Sequence, residues 1–280
     1  MSITGKTKVA GVMGWPVGHS KSPALHNYWL STHGIDGVYV PMAVEPARLA
    51  DALQGLPALG FSGCNLTVPH KEAALKMVDR VTPEAERIGA INTVFVGQDS
   101  KLTGTNTDGF GFLANLKSAV PGLDPAGVKA LVLGAGGAAR AVCAALLDAG
   151  CRKVVIANRN QERATTLAGV LGGNAEAIAW DERHAALADT GLLINATSLG
   201  MTGQPALDIA IARLPRTGVV YDLVYAPLET PLLAAARAGG WKAVDGLGML
   251  LYQAQAGFAG WFGVTPEITP ELRAYVLSQP

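Results

Sequence analysis

One stretch restricts the fold more than any other: VLGAGGAARA, residues 132–141, places three glycines between an apolar run and an alanine-rich run. The pattern G-x-G-x-x-G/A uses one glycine for a tight turn, a second for close backbone approach to a pyrophosphate, and a small residue for helix–strand packing. Gly134, Gly136 and Ala139 fill these three roles. The stretch therefore predicts a strand, a turn and a helix of the dinucleotide-binding kind.

In such a turn, the exposed N–H groups and the positive end of the helix face the phosphates of a bound dinucleotide. The candidate cofactor contacts in the turn are Gly134, Ala135, Gly136, Gly137 and Ala138. A glycine turn also arises where a helix simply packs tightly on a strand, so the following strand is needed to choose between the two interpretations.

The end of that following strand indicates which dinucleotide is bound. NAD sites place an acidic residue ~20 residues beyond the glycines, where it binds the ribose 2′-hydroxyl. Here the chain reads ANRNQER, with Asn158, Arg159 and Arg163 in place of an acid at the strand end. A guanidinium matches a phosphate with paired hydrogen bonds, whereas basic charge otherwise opposes a helix N-terminus. These residues favour NADP over NAD, although solvated arginines are the alternative.

Apolar strand-like runs alternate with alanine- and leucine-rich helical patterns along the chain, which predicts an α/β protein with parallel sheets. In the first third, strands are expected at Lys8–Gly14, Gly37–Val44, Gly60–Pro69 and Ala90–Gly97. Further strands are expected at Gly191–Thr197 and Gly218–Tyr225, and a last helical region begins near Leu247. The turn-rich segment Pro121–Gly127 is the strongest single break in the pattern.

The bulk numbers exclude several classes of partner. The chain has 280 residues, 49% of them hydrophobic, and its 22 lysines and arginines balance its 22 aspartates and glutamates. With no net charge, the chain has no overall electrostatic field that would attract it to nucleic acid. It also contains no run of ~20 apolar residues, so a membrane span is not predicted. Three isolated cysteines and histidines without ligand spacing predict a metal-free, cytoplasmic protein that binds small molecules.

A second informative stretch is NLTVPHK, residues 65–71, where an extended apolar segment ends in a lysine. In a strand, Asn65 and Thr67 lie on one face because side chains alternate with a period of two. The two polar groups would then point toward a ligand just before Lys71. A solvated loop lysine is the alternative.

Several separated motifs together resemble the shikimate dehydrogenase family. In chain order they are GWPVGHSKSPALHN, NLTVPHK, GAINTV, NTDG, GAGGAARA, NR, INATSLGM and DGLGMLLYQA. They span nearly the whole chain, and jointly they are specific although each alone is not.

The resemblance implies a substrate-binding α/β domain at residues 1–107 and 247–280, and a Rossmann-like NADP-binding domain at residues 108–246 that begins with a connecting helix, 108–120. It implies reversible NADP(H)-linked reduction of 3-dehydroshikimate to shikimate, in the pathway to chorismate and aromatic amino acids. The oligomeric state, monomer or homodimer, is left open.

The resemblance also implies the residues that bind substrate. Ser20 and Ser22 match the pair that binds the substrate carboxylate, and Ser22 before Pro23 is alternatively an ordinary helix cap. The other matching positions are Asn65, Thr67, Asn92, Tyr225 and Gln253. Further cofactor contacts are implied at Thr197, Gly246 and Met249, where a core methionine is an equal alternative for Met249.

The catalytic groups implied by the resemblance are Lys71 and Asp108. A lysine ammonium can stabilise the charge that forms on the substrate oxygen and can donate the proton. Asp108 would hold that ammonium, and a helix N-cap is the alternative role for it. His70 is given no role. A dual shikimate/quinate enzyme and a non-catalytic ligand-binding relative are the rival interpretations.

Overall fold

The computed structural model describes residues 3–279, which divide into two compact units. The first unit contains residues 3–107 and 250–279, and the second contains residues 108–249. The turn-rich segment Pro121–Gly127 lies inside the second unit, so this break does not separate the units. The expected later boundary at residue 247 is the first residue of a helix, whereas the units divide after Met249.

The first unit is built on a six-stranded sheet with helices packed against it. Its strands are β1 Lys8–Gly14, β2 Gly37–Ala43, β3 Phe61–Leu66, β4 Arg80–Val81, β5 Thr93–Val96 and β6 Leu102–Thr105. Its helices are α1 Ser22–Thr32, α2 Leu49–Ala58, α3 Pro83–Ile88, most of α8 Leu247–Phe262, and α9 Pro270–Ser278. The spatial strand order is β2-β1-β3-β5-β6-β4.

The sheet of the first unit is mixed, which corrects the expectation of parallel pairing throughout. Strand β5 runs antiparallel to both β3 and β6. The β5–β6 pair is antiparallel because the connection between the two strands is short, closed by a hydrogen bond from the Gly97 N–H to the Lys101 carbonyl at 2.8 Å. A parallel pair needs a crossover of a dozen or more residues, and this connection is too short to provide one.

The second unit has a fully parallel six-stranded sheet. Its strands are β7 Lys129–Leu133, β8 Lys153–Ala157, β9 Ala175–Ile178, β10 Leu192–Asn195, β11 Val219–Asp222 and β12 Lys242–Val244. Its helices are α4 Asp108–Ala119, α5 Gly137–Asp148, α6 Gln161–Leu171 and α7 Pro231–Ala238. The order β9-β8-β7-β10-β11-β12 is the doubly wound order of Rossmann folds, which confirms the predicted fold class.

Each face of the second sheet carries its own apolar core. On one face, Val132 and Ile156 pack with Leu146 of α5 and Leu167 of α6. On the other face, strand residues pack with Leu233 of α7. Burial on both faces explains why these strands read as continuous apolar runs. Among residues 3–279, none of the helices combines the length and hydropathy needed to span a lipid bilayer.

Candidate active site

The two serines after β1 lie next to each other at the start of α1. The Ser20 N–H donates to the Val17 carbonyl at 3.0 Å, and the Ser22 N–H donates to the Ser20 hydroxyl oxygen at 3.3 Å. Ser22 is buried and is the first residue of α1, whose N-cap position is Lys21. The interpretation of Ser22 as a helix cap is therefore wrong, because no side chain caps this helix.

The segment that begins at Asn65 leaves the sheet earlier than expected. Strand β3 ends at Leu66, so the expected extension to Pro69 is wrong. The Thr67 N–H still donates to the Met13 carbonyl at 2.9 Å, but the Val68–Pro69 peptide is cis and the chain turns there. Proline has no N–H to continue a ladder. Asn65 is thus a buried strand residue, while Thr67 is a half-buried residue just beyond the strand.

The Asn65 carboxamide belongs to a buried polar network within the first unit. Its Nδ2 donates to the Asn92 carbonyl at 3.1 Å and to the Thr93 hydroxyl at 3.0 Å. The Asn92 Nδ2 donates to the Thr107 hydroxyl at 3.0 Å and to Gln253 Oε1 at 3.2 Å. Three residues predicted as substrate ligands are therefore joined through neighbouring threonines, and buried groups satisfied in this way are held rigidly.

Lys71 is attached to this network through its main chain. The Ile91 N–H donates to the Lys71 carbonyl at 2.8 Å, directly before Asn92. The preceding His70 is buried, and its Nε2 lies 2.8 Å from the Val44 carbonyl. Burial lowers the pKa of His70. His70 anchors the turn, while the Lys71 side chain is half-buried.

Asp108 occupies the first turn of α4 and is buried, with 4% of its surface exposed. It follows Thr107 directly, so the network's last threonine precedes the predicted catalytic carboxylate. Asp108 lies within the helix rather than at the cap position that the alternative interpretation assigned to it. A carboxylate in the first turn is favoured by the helix macrodipole.

The glycine turn has the geometry that its three positions require. Gly134 has a φ of +116°, and a Cβ there would lie 2.8 Å from the Ala196 carbonyl oxygen. Gly136 is the N-cap of α5, and a Cβ there would meet nothing within 4 Å. Ala139 is fully buried. No side chain caps α5, and open space adjoins its first turn, so the turn fits a phosphate.

The basic residues after β8 differ in their surroundings. Asn160 caps α6 by accepting from the Arg163 N–H at 3.1 Å, and Arg163 Nη2 lies 3.5 Å from the Ala135 carbonyl in the glycine turn. Asn158 Nδ2 donates to the Asn160 carbonyl at 2.9 Å. Within residues 3–279, the exposed Arg159 guanidinium makes no hydrogen bond or ion pair. The Arg159 side chain is therefore exposed to solvent with no competing partner among those residues.

Three of the four other predicted ligands have local structural roles, and the fourth, Tyr225, is described by its burial. The Thr197 hydroxyl donates to Asn195 Oδ1 at 2.7 Å and so fixes its own turn. A Cβ at Gly246 would lie 2.1 Å from the Leu223 carbonyl oxygen, so packing alone requires this glycine. Met249 belongs to the apolar core of the second unit. Tyr225 is half-buried, and burial raises its pKa.

Sequence reasoning missed two supports of these loops. Asn115 of α4 donates to the Tyr221 hydroxyl at 2.6 Å and to the Asp245 carbonyl at 3.0 Å. Asp222 is fully buried at the end of β11 and accepts hydrogen bonds from Asn195 and from the Thr230 hydroxyl. Burial raises the pKa of Asp222. No motif indicates these partners, and the Asn115–Tyr221 and Asn195–Asp222 pairs are distant in sequence.

The structure also describes the potential metal ligands and the cysteines. Within the described residues, no three His, Cys, Asp or Glu side chains are grouped in a way that would hold a metal ion. The three cysteines are free thiols, and all are buried.

The doubly wound sheet, the glycine turn and the polar network of the first unit define a two-domain oxidoreductase of the nicotinamide-dinucleotide class. Two family models match the chain: "Shikimate dehydrogenase substrate binding domain" at residues 12–94 and "Shikimate / quinate 5-dehydrogenase" at residues 117–202. A shikimate dehydrogenase (NADP(+)) of Rhodospirillum rubrum is 56% identical, with 99% of this chain and 100% of the relative covered. The chain belongs to the shikimate dehydrogenase family.

Solved structures of the family have the same fold. A shikimate dehydrogenase in complex with NADP+ is 36% identical with a TM-score of 0.91, covering 99% of this chain and 96% of the other. The Thermus thermophilus enzyme in complex with NADP(H) and shikimate is 39% identical, with a TM-score of 0.85 and coverages of 96% and 98%. A Corynebacterium glutamicum quinate dehydrogenase in complex with NAD is 31% identical, with a TM-score of 0.90 and coverages of 98% and 99%.

Proposed function

We propose that this protein catalyses the reversible NADPH-dependent reduction of 3-dehydroshikimate to shikimate, a step toward chorismate and the aromatic amino acids. The observation that carries this proposal is the buried network of the first unit. Asn65, Asn92 and Gln253, which match the family's substrate ligands, are joined there by hydrogen bonds of 3.0–3.2 Å, both directly and to Thr93 and Thr107. A network of amides and hydroxyls suits a ring that carries several hydroxyl groups.

The second unit is the proposed NADP-binding domain. The turn from Gly134 to Ala138 would hold the pyrophosphate, and Arg159 would hold the ribose 2′-phosphate with Asn158 and Arg163 beside it. The open space at Gly136 and the unpaired Arg159 guanidinium support this assignment. When bound, the nicotinamide supplies or accepts the hydride. Thr197, Gly246 and Met249 are proposed to line the cofactor pocket.

The first unit is the proposed substrate domain. The adjacent hydroxyls of Ser20 and Ser22 would bind the substrate carboxylate, and the Thr67 hydroxyl would bind the ring. Tyr225 of the second unit is proposed as a further substrate contact. The buried, unpaired cysteines support a reducing cytoplasmic location. Monomer and homodimer are both compatible with this function.

Lys71 and Asp108 are the proposed catalytic pair. During reduction the Lys71 ammonium stabilises the negative charge on the carbonyl oxygen and donates its proton there. In the opposite direction the neutral amine accepts that proton. The Asp108 carboxylate holds the Lys71 side chain in place and accepts a hydrogen bond from the reacting hydroxyl.

A dual shikimate/quinate enzyme is the second candidate, since one matching family description includes quinate and a quinate dehydrogenase shares the fold. The test is steady-state reduction of NADP+ and NAD+, followed at 340 nm, with shikimate and with quinate. The proposal expects turnover with shikimate and NADP+ to exceed the other combinations by at least tenfold. Equal use of quinate supports the dual enzyme, and no turnover with any pair supports a non-catalytic relative.

A further inference from the structure

Tyr39 connects the aromatic core of the first unit to a predicted substrate ligand. It lies on β2, only 1% of its surface is exposed, and its hydroxyl donates to Asn65 Oδ1 at 2.6 Å. Neither the glycine turn nor any polar motif includes this tyrosine. Its contact with Asn65 is the shortest hydrogen bond made by that side chain.

The sheet register explains how the tyrosine reaches Asn65 across a neighbouring strand. Tyr39 pairs with Ala10 of β1, and Asn65 pairs with Val12 of the same strand. Residues two apart on a strand share a face, so all four side chains lie on one face of the sheet. The small side chain of Ala10 leaves room for the phenol ring to extend toward β3.

The bond from Tyr39 fixes what Asn65 can offer to a ligand. A carboxamide has two N–H donors and two acceptor lone pairs. Both donors of Asn65 are taken, one by the Asn92 carbonyl and one by the Thr93 hydroxyl. The Tyr39 hydroxyl donates to one lone pair of Oδ1. Because it donates, it also favours the orientation of the carboxamide in which the oxygen, and not the NH2 group, faces Tyr39. One lone pair of Oδ1 remains.

The Tyr39 ring is held in place by an aromatic cluster. The His26 ring stacks on it with centroids 4.0 Å apart and an angle of 7° between the planes. The centroid of the Trp261 ring lies 5.9 Å from the centroid of the Tyr39 ring. His26 is fully buried, and neither of its ring nitrogens has a hydrogen-bond partner within the described residues. The cluster therefore restrains the position of the ring and leaves the direction of the hydroxyl to its polar neighbours, Asn65 and Ser22.

We propose that Tyr39 is a positioning residue for substrate binding: its hydroxyl orients the Asn65 carboxamide so that Oδ1 accepts a hydrogen bond from a ring hydroxyl of the substrate. This inference rests on the proposed function, because it assumes that the ligand is a polyhydroxylated cyclic carboxylate. Tyr39 is not itself a ligand: its 2.6 Å hydrogen bond to Asn65 carries the proposed effect, and its hydroxyl also interacts with the Ser22 side chain.

The first test is the variant Tyr39→Phe, which retains the ring and its stacking on His26. Losing one hydrogen bond to a buried acceptor is expected to raise the KM for shikimate about tenfold. The KM for NADP+ should change less than twofold, because the nucleotide-binding residues lie in the other unit. Tyr28→Phe is the matched control. Its ring packs on Tyr275 at 4.9 Å, its hydroxyl makes no side-chain hydrogen bond among the described residues, and all constants should remain unchanged.

The second test is a double-mutant cycle with Asn65→Ala. If Tyr39 acts through Asn65, adding Tyr39→Phe to the Asn65→Ala variant should change the KM for shikimate less than twofold. A further tenfold increase in the double variant overturns the proposal, as does an unchanged KM in Tyr39→Phe alone. A Tyr39→Phe chain that fails to fold also overturns it, because a hydroxyl that only orients Asn65 is not required for folding. Wild-type protein without shikimate turnover would instead refute the proposed function.

Discussion

The two units hold their predicted ligands by different means. In the second unit the main chain forms the proposed phosphate site: Gly134 packs against the Ala196 carbonyl, and α5 begins without a side-chain cap. In the first unit the proposed substrate-binding groups are side chains, and other side chains form hydrogen bonds to them, as Tyr39 and Thr93 do to Asn65. A backbone site depends on a few permissive residues, whereas a side-chain site depends on every member of a network.

This difference predicts where substitutions act. A change in the first unit should affect the shikimate constants or the chemical step and leave NADP+ binding intact. A change in the proposed nucleotide-binding residues of the second unit should do the reverse, or should affect stability where a glycine conformation is required. Asp108 and Tyr225 also belong to that unit, but changes there should affect the shikimate constants or the chemical step, because these two residues are proposed to act on the substrate. Any variant that shifts both sets of constants equally would weaken the distinction.

The largest effect is expected for Lys71→Ala. Removing a general acid and base typically costs 10²–10⁴ in rate, so kcat should fall about a thousandfold. The affinity for NADPH, measured by its fluorescence, should change less than twofold. Lys76→Ala removes an exposed lysine from the following turn and should leave both values unchanged. A folded Lys71→Ala variant with near-normal turnover would eliminate Lys71 from the mechanism.

The glycine turn offers a matched pair of substitutions. Gly134→Ala introduces a Cβ 2.8 Å from a carbonyl oxygen at a φ of +116°, so the unfolding free energy should fall by about 2–3 kcal/mol. Gly136→Ala meets no protein atom within 4 Å and should change stability by less than about 0.5 kcal/mol.

Urea unfolding and NADP+ kinetics together test this pair. In Gly136→Ala the added methyl would occupy space next to the phosphates, so the KM for NADP+ should rise about tenfold while the KM for shikimate is retained. If Gly136→Ala is as destabilising as Gly134→Ala, or if it binds NADP+ normally, the turn does not hold the pyrophosphate as proposed.

Arg159→Ala is expected to have the next largest effect. Hydrogen bonds to a charged group contribute about 1.5–3 kcal/mol, so the KM for NADPH should rise about 10- to 100-fold. The KM for NADH, which lacks the 2′-phosphate, should change less than twofold. Arg152→Ala serves as the control. It removes an exposed arginine that directly precedes the first residue of β8, at the end of the strand opposite to Arg159. A wild-type enzyme that uses NADH and NADPH equally would contradict the assignment.

The sequence predicted the second unit better than the first because its signals are local. The glycine turn lies within a few residues of the strand and helix that it connects, and β7 and α5 follow from it. In the first unit, β5 was predicted as a strand, but its antiparallel direction depends on the hairpin to β6, which no pattern revealed.

The contacts of the site that the sequence did not predict have a common physical origin. Tyr39 and Asn65 are 26 residues apart in the sequence, and Asn92 and Gln253 are 161 apart. Such contacts arise from the order and register of strands, which a single sequence does not state. Motifs predicted Asn65, Asn92 and Gln253 as individual polar residues, while the hydrogen bonds that orient them required the folded chain.

The smallest predicted effect concerns the neutral histidine beneath Tyr39. Burial lowers the pKa of His26 from about 6.5 to about 3, and the nearby Asn65 side chain opposes that shift only in part. Below pH 6.5 the unfolded chain binds a proton at this histidine and the folded chain does not. Stability is therefore lost as the pH falls from 6.5 toward 3. Between pH 7.5 and 5.5 this loss amounts to about 1.4 kcal/mol.

His26→Phe should abolish this component, because phenylalanine keeps a planar ring against Tyr39 and binds no proton. The measurement is urea unfolding of wild type and variant from pH 7.5 to 5.5. The variant should gain about 1.4 kcal/mol relative to wild type over that interval, whereas the exposed His19→Gln control should follow wild type. A constant difference between wild type and His26→Phe would mean that His26 becomes protonated within the folded chain. The aromatic cluster would then contain a charged imidazolium. The position of the Tyr39 hydroxyl would have to be explained by something other than stacking on a buried, neutral histidine.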